Sequence, residues 1–186
     1  MPQGKVHFVI EASVALAAGA AYAFIPAVRE AMPTDGLLRV FWPGLIAGYL
    51  FGLFFISPDL DLPNSFVRSR WGPLGFIWDP YMILFKHRGM SHSFLFGTLT
   101  RLAWLAFLLA LPVLVAGIVV VKMEWLRAAD ALRYLPEGTM ALGGFVAGCY
   151  LNDLVHIATD HSWTLTKRHA RRRKRRLPLW MRLFLR

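Results

Sequence analysis

Four long apolar stretches limit the folds open to this chain more than any other feature. Each is long enough to supply the ~20 helical residues that cross the ~30 Å hydrocarbon core of a bilayer. Hydrophobic residues make up 56% of the chain, against ~45–50% in soluble domains on a broader count that includes Gly. The pattern predicts an all-α integral membrane bundle of about four transmembrane helices with short interfacial helices. The stretches cover residues 8–28, 37–57, 94–121 and 139–160.

The first stretch has an alternative interpretation as a secretory signal, because a basic residue precedes it and Ala-rich tracts can be cleaved. Its apolar run is longer than the ~7–15 residues of a signal core. Glu11 also lies inside it. We therefore expect a first transmembrane helix that is retained.

Two segments between the spans are predicted to form helices shorter than the spans themselves. Residues 58–86 contain four prolines, which exclude one long helix, and three aromatic residues of the kind that favour a membrane interface. Residues 122–137 mix charges of both signs and predict an amphipathic helix that ends near Pro136. The prolines are Pro58, Pro63, Pro73 and Pro80, and the aromatic residues are Trp71, Trp78 and Tyr81.

The net charge of +10 is concentrated after residue 166. Ten of the 21 basic residues lie in residues 167–186, which contain no acid, and eleven basic residues face eleven acidic ones elsewhere. We predict a membrane-embedded metal-binding domain, residues 1–166, and a basic amphipathic tail, residues 167–186. Basic runs bind nucleic-acid phosphates, but Trp180 and Phe184 are typical of a bilayer interface. Anionic lipid headgroups are therefore the expected partner, and no specific nucleic acid is expected.

The basic tail also orients the bundle, because Lys and Arg accumulate on the cytoplasmic side of membrane proteins. Four spans then place both termini in the cytoplasm and predict a multi-pass protein of the cytoplasmic (inner) membrane. The single cysteine, Cys149, lies in an apolar segment, so metal ligation would fall to His, Asp and Glu. Residues of these types gather at one membrane face in this topology: His7, Asp59, Asp61, His87, His92, His156 and Asp160.

Helical spacing puts several of these residues on shared faces. Asp153, His156 and Asp160 are spaced i, i+3 and i+7 and form one stripe, although a helix emerging into water would show the same residues. His7 and Glu11 are spaced i, i+4 and also share a face. Ionisable groups at membrane depth are costly unless they pair inside the bundle, so both sets are candidate functional residues.

The sequence HRGMSHS carries two imidazoles where a loop meets a helix. A turn at Gly89 would fold His87 and His92 toward one ion, and imidazole is the commonest protein ligand for zinc and related ions. The same spacing is compatible with two solvated histidines in an interfacial loop. In SPDLDL, Asp59 and Asp61 alternate, so in an extended segment both would face the same way.

This donor set suits one or two divalent metal ions. Zinc is favoured, and manganese or iron(II) is compatible with mixed nitrogen and oxygen ligands. Oxygen-rich ligation is typical of two-metal centres, in which the ions lie ~3.5–4 Å apart and act on the attacking and leaving oxygens together.

Several motifs occur in an order that resembles a known family. They are GKVH near the N-terminus, SPDLDL, RWG, KHRGMSHS and GTLTR. The chain resembles, from about Gly4 to Asp160, a prokaryotic family of metal-binding membrane proteins of unknown function. It is similar, more distantly, to membrane-bound metal-dependent hydrolases with PDxD and HRGxTHS motifs. In this sequence Phe8 stands where an acid often follows the first histidine, and Ser91 replaces Thr.

The resemblance implies a ligand set and a hydrolytic activity. On that resemblance we expect a metal-dependent hydrolase that acts on a phosphoester or a lipid. Arg88 and Arg101 would stabilise developing negative charge, and Asp160 or Glu11 would act as the base. Arg101 has an alternative role in a structural ion pair with Asp153 or Glu11. The implied ligands are His7, Asp59, Asp61, His87, His92 and His156, with Asp160 as a further candidate.

Two other classes of function remain open on the sequence. One is a non-enzymatic metal sensor, chaperone or transporter, although transport needs ionisable residues through the bilayer depth and Arg39, near the start of the second span, is the single charged residue in the outer halves of the second and fourth spans. The other is a structural anchor whose tail recruits partners, for which the histidines would be dispensable.

Overall fold

The structure is a computed structural model that describes residues 4–33, 35–62, 65–85, 93, 96–122 and 132–176. These residues are helical almost throughout and contain no strand. The predicted all-α helical bundle is therefore confirmed. In chain order the α-helices are α1 (Gly4–Phe24), α2 (Pro26–Glu30), α3 (Leu38–Phe51), α4 (Phe66–Ser69), α5 (Asp79–Leu84), α6 (Phe96–Lys122) and α7 (Leu135–Arg176).

Four helical stretches are long and apolar enough to cross a membrane, which indicates membrane association. They are Gly4–Phe24, Leu38–Asp61, Phe96–Val120 and Leu135–His169. The first ends before Pro26, which starts α2, since a proline fits the first turn of a helix, where its missing N–H has no intrahelical acceptor.

A helix ends just before Pro136, as predicted: Leu132 and Arg133 are helical and Tyr134 is a turn residue. Pro136 is the second residue of α7. The first turn of a helix has no intrahelical acceptor for its N–H groups, so a residue without an N–H fits there. Most of the preceding segment, residues 123–131, lies outside the described residues.

Short helices follow the second span, as predicted for residues 58–86. A π-helical turn (Gly52–Ile56) continues α3, and two 3₁₀ segments (Pro58–Asp61 and Gly72–Trp78) flank α4. Asp59 and Asp61 lie in the first of these 3₁₀ segments and not in an extended segment, in which they would have faced the same way. A 3₁₀ helix has three residues per turn, so side chains two residues apart point in different directions.

The closest helix packing joins α3 to α7 through glycines. A Cβ added to Gly48 would collide with the carbonyl of Phe145, and one added to Gly148 would collide with the carbonyl of Leu45. Small residues four apart let membrane helices approach until their backbones touch. We call this contact the glycine seam; its members are Gly44, Gly48, Gly144 and Gly148.

Aromatic side chains fasten the short helices to the spans. Trp78 and Tyr81 are fully buried. The indole N–H of Trp71 donates to the Phe55 carbonyl at 2.9 Å, and that of Trp104 donates to the Ile77 carbonyl at 3.0 Å. The second 3₁₀ segment and the residue before it are therefore held against the end of the second span and against α6.

The last helix is longer than any bilayer requires. α7 continues to Arg176 and passes the predicted domain boundary at residues 166 and 167 without a break. Its residues 161–169 are exposed. The division into a membrane domain and a tail remains a prediction, and residues 177–186 lie outside the described residues.

Candidate metal centre

Two spans that are distant in sequence bring polar side chains together inside the bundle. α1 supplies His7 and Glu11, and α7 supplies His156; we call these three residues the polar cluster. Their candidate ligand atoms all lie within 4.8 Å of one another. The exposed fractions of the three residues are 3%, 1% and 0%. His7 and Glu11 are also the buried residues of α1, because i, i+4 spacing puts both on the face that meets α7.

Glu11 holds the His156 ring through one of its two nitrogens. His156 Nδ1 donates to Glu11 Oε1 at 2.7 Å, and Ser57 Oγ lies 3.2 Å from the same nitrogen. The other Glu11 oxygen accepts from Asn152 Nδ2 at 3.1 Å. A carboxylate on one imidazole nitrogen is the usual support of a histidine that binds metal through the other.

The second nitrogen of each imidazole faces an aspartate. His156 Nε2 lies 3.7 Å from Asp59 Oδ1. His7 Nε2 lies 3.2 Å from Asp160 Oδ1, but this pair is not aligned as a hydrogen bond. The two imidazole rings stack with centroids 4.1 Å apart and planes 18° from parallel. The arrangement therefore contains two parallel pairs, each of one histidine and one aspartate.

The donor set fits a divalent metal ion. Ligands bonded at about 2.0–2.2 Å lie within about 4.4 Å of each other, so candidate atoms within 4.8 Å of one another are close to the spacing of a metal site. His7 Nδ1 is buried without a hydrogen-bond partner among the described residues. Asp59 and Asp160 are each 16% exposed and form the open side of the cluster.

Asp61 is not one of the three residues whose candidate ligand atoms converge. It is buried in the 3₁₀ segment, and its negative charge acts on the hydroxyl of Tyr81. Burial raises the pKa of Tyr81, and Asp61 adds to that shift, while a contact with Thr100 opposes it. Three predicted site residues, His87, Arg88 and His92, lie outside the described residues.

Arg101 pairs with an aspartate of the neighbouring helix. Its guanidinium donates to Asp153, which also accepts from the Thr98 hydroxyl, and all three residues are buried. This contact joins α6 to α7 and corresponds to the structural alternative for Arg101. The three residues predicted to form one stripe on α7 therefore contact two different helices. Asp153 faces α6, whereas His156 and Asp160 face α1.

Several neighbours of the cluster were not among the predicted residues. Asn152 had a recognisable signal, because it lies four residues before His156 in an apolar helix and so shares its face. Ser57 and Tyr49 had none, and the Tyr49 hydroxyl donates to the Glu11 backbone carbonyl at 2.9 Å.

Arg70 is a further cation near the cluster. Its guanidinium carbon lies 4.2 Å from the centroid of the Phe8 ring, 4.4 Å from Phe66 and 4.8 Å from Phe54, within the range of cation–π attraction. Burial lowers the pKa of Arg70, and the negative charge of Glu11 opposes that shift. Phe8 stands where the resembled family often has an acid. In this chain its ring packs against the Arg70 guanidinium, whose pKa responds to the charge of Glu11.

Comparisons with known proteins agree with a metal-binding role. A family profile described as "Uncharacterized metal-binding protein (DUF2227)" matches residues 2–170. A relative from Aquifex aeolicus (strain VF5), described as an uncharacterized protein, is 37% identical over 127 residues, which are 65% of this chain and 90% of the relative. No solved structure matches the chain. Neither description names a hydrolase, so the finer resemblance to hydrolases has no support from these matches.

Proposed function

Because the chain belongs to this family of uncharacterized metal-binding proteins, we propose that the polar cluster and its two aspartates are where it holds metal. The supporting observation is the convergence of His7, Glu11 and His156 in the buried interior. In this proposal His7, His156 and Asp59 are ligands, and Asp160, beside His7, is kept as the base. Glu11 positions His156, since both of its oxygens already accept hydrogen bonds from other side chains.

The stacked imidazoles favour two ions over one. Parallel rings cannot direct their nitrogens at one point without rotating apart, and each already lies beside a carboxylate of its own. Their 4.1 Å separation is close to the ~3.5–4 Å between the ions of two-metal sites. We propose zinc first, with manganese or iron(II) as alternatives, and His87, His92 and Asp61 as the sequence-based candidates for the remaining ligands.

Hydrolysis of a phosphoester or lipid is the activity that we propose for this site. A bound divalent cation supplies Lewis acidity, lowering the pKa of water and offsetting negative charge on an ester. Asp160 is partly exposed and is the better base, because Glu11 is buried and committed to His156 and Asn152. Arg70 and Arg88 would stabilise anionic charge. Arg101 neutralises Asp153, and we propose no contact between it and the substrate.

A non-enzymatic role in metal binding is the second candidate, and one observation favours it. His7, Glu11 and His156 are almost fully enclosed, and structural metal sites are typically closed whereas catalytic ones keep an open position. The partial exposure of Asp59 and Asp160 favours the catalytic alternative. Activity therefore has to be measured separately from metal content.

We also propose a cytoplasmic membrane location with both termini in the cytoplasm. The cluster would then lie near the inner face, and residues 167–186 would contact anionic headgroups. Lys167 supports an interfacial start to this segment, because its ammonium lies 5.5 Å from the ring centroid of Trp163.

Metal analysis of the detergent-purified protein tests the site. We expect two ions per chain in the wild type and loss of metal in His156→Ala. His161→Ala is the matched control, because His161 lies on the same helix but is exposed, and it should keep its metal. Equal metal content in His156→Ala and the wild type would contradict the proposed site.

An activity panel tests the chemistry. Phosphodiester, lipid-ester and amide substrates are incubated with wild type and His156→Ala, each with and without a chelator. A phosphodiesterase or lipase activity that requires both His156 and metal supports the hydrolase. A metal-loaded wild type that cleaves none of these substrates favours the non-enzymatic role.

A further inference from the structure

An apolar cleft of about 730 Å³ separates the second half of α1 from α3. Nearly all of the side chains that line it are aliphatic, aromatic or Gly. Its walls include Val14, Ala18 and Tyr22 of α1, and Trp42, Ile46 and Tyr49 of α3.

The cleft exists because α1 packs on the bundle at one end. The buried residues of α1, His7 and Glu11, lie in its first two turns, and the Tyr49 hydroxyl fixes that end to α3. Beyond them α1 presents small residues, Ala15 and Gly19 among them, to the cleft. A gap of this size forfeits the contacts that would hold α1 in place, unless something apolar fills it.

The length of the cleft matches one leaflet of a bilayer. On α3 it extends from Arg39 to Leu50, which at the helical rise of 1.5 Å per residue is about 17 Å. Half of a ~30 Å hydrocarbon core is about 15 Å. A single acyl chain of one leaflet is therefore the apolar group of the right length.

The two ends of the cleft differ in polarity. At one end Arg39 is exposed and its guanidinium lies 3.1 Å from Glu137 Oε1, so a cation and an anion flank the rim. Trp42, beside it, donates its indole N–H to the Pro33 carbonyl; tryptophans of this kind are enriched at the headgroup level. At the other end, Tyr49 closes the cleft beneath the polar cluster. A phosphate and an ammonium group complement this rim, and a methyl end suits the Tyr49 end.

We propose that the cleft binds one acyl chain of a membrane phospholipid, with the headgroup at the Arg39 rim and the chain end at Tyr49. The bound chain fills the space between α1 and α3 and so keeps His7 and Glu11 against α7. This lipid site lies in the half of the bundle opposite the polar cluster, and its occupancy does not depend on the proposed hydrolase activity.

Photo-crosslinking tests the lipid site. The full chain is placed in nanodiscs of phosphatidylethanolamine and phosphatidylglycerol containing a phospholipid with a diazirine midway along one acyl chain, and adducts are mapped by mass spectrometry. We expect adducts to concentrate on the α1 and α3 residues that line the cleft. An even distribution over α1, α3 and the exposed surface of α6 would overturn the proposal.

Two matched variants make the test specific. Gly19 lines the cleft and Gly117 lies on α6, and a Cβ at either would meet nothing within 4 Å. Gly19→Trp should lose the cleft adducts by filling the space, whereas Gly117→Trp should keep them. Retention of the adducts in Gly19→Trp would overturn the proposal. Chain-to-chain crosslinks from a photoreactive residue at position 18 would also overturn it, because a second copy would then cover the cleft.

Thermal unfolding supplies an independent measurement. Phospholipid added back to delipidated protein should raise the unfolding temperature of the wild type and of Gly117→Trp but not of Gly19→Trp. An equal rise in all three would contradict a site in the cleft. Neither measurement requires bound metal, so a failure of the lipid proposal is distinguishable from a failure of the metal proposal.

Discussion

The glycine seam and the polar cluster lie along one line of residues on α7 but hold the molecule in different ways. The line runs through Gly144, Gly148, Asn152, His156 and Asp160, four residues apart at each step. Each step turns the line by about 40° around a helix of 3.6 residues per turn. The line therefore faces α3 at the glycines and α1 at His156 and Asp160.

The difference lies in what makes contact. In the seam, backbone packs against backbone, and no side chain can be added without moving a helix. In the cluster, side chains contact side chains and can rotate or be replaced by others of similar size. Variants of the seam should therefore cost folding, whereas size-matched variants of the cluster should mainly cost metal binding.

The largest effect is expected from Gly148→Val, which breaks the seam. Its Cβ would collide with the Leu45 carbonyl of α3, and relief requires the two helices to separate. Overpacking costs about 1–3 kcal/mol when side chains can adjust, and a backbone cannot adjust in that way. We expect loss of most folded protein, measured by detergent-soluble yield and thermal unfolding.

The neighbouring Gly143→Val is the control for the seam. Gly143 lies on the same helix, but a Cβ there would meet nothing within 4 Å. It should keep the yield and the unfolding temperature of the wild type. Equal stability of the two variants would show that α3 and α7 are not held by close backbone contact.

The second effect concerns the buried pair that joins α6 to α7. Asp153→Ala leaves the Arg101 guanidinium buried without its carboxylate, which typically costs about 3–5 kcal/mol. The double variant Arg101→Met with Asp153→Leu should recover most of that loss, because neither charge of this pair remains buried. Thermal unfolding measures both.

Metal content separates this pair from the cluster. Folded double variant should bind as much metal per chain as wild type, since neither residue belongs to the group of ligand atoms around His7. Loss of metal in the stable double variant would make Asp153 part of the metal centre.

The parts of the architecture that depend on a short stretch of sequence were predictable from the sequence. Hydropathy over about 20 residues located the four spans, and prolines located the short helices after the second span. The same reasoning located the helix end just before Pro136, where the chain turns at Tyr134. It could not orient Asp59 and Asp61, since alternation in the sequence does not distinguish an extended strand from a 3₁₀ turn.

The candidate site was predictable only as a set of residue types that the expected topology gathers at one membrane face. Glu11 and His156 are 145 positions apart, and spacing arguments reach only along one helix. Whether Arg101 pairs with Asp153 or Glu11 depends on how α6 packs, which the sequence does not specify. The ligand assignments for His87 and His92 and the role of Arg88 remain predictions.

A smaller effect is expected from Glu11→Gln, which changes the cluster without changing its volume. An amide offers one acceptor where Glu11 accepts from both His156 and Asn152, so the His156 ring loses its fixed orientation. Loss of such a supporting carboxylate typically weakens metal binding by about 10–100-fold. Metal titration of the stripped protein measures this, while the unfolding temperature without metal should move little.

Glu30→Gln is the matched control for charge, because Glu30 lies on α2 and is exposed. Its metal affinity should equal that of the wild type. If Glu11→Gln bound metal as tightly as Glu30→Gln, Glu11 would have no part in positioning His156, and its burial would be a matter of packing alone.

The smallest effect is expected from Arg39→Gln, at the end of α3 beyond the seam. Arg39 and Glu137 join α3 to α7 at 3.1 Å, but their side chains are 64% and 32% exposed. Solvated pairs of this kind contribute about 0–1 kcal/mol and are screened by salt. Arg39→Gln should therefore lower the unfolding temperature slightly at low ionic strength and not at high ionic strength, with Glu137→Gln behaving alike. A loss as large as that of Gly148→Val would mean that α3 and α7 are fastened at their ends, and the glycines would then permit a contact that they do not stabilise.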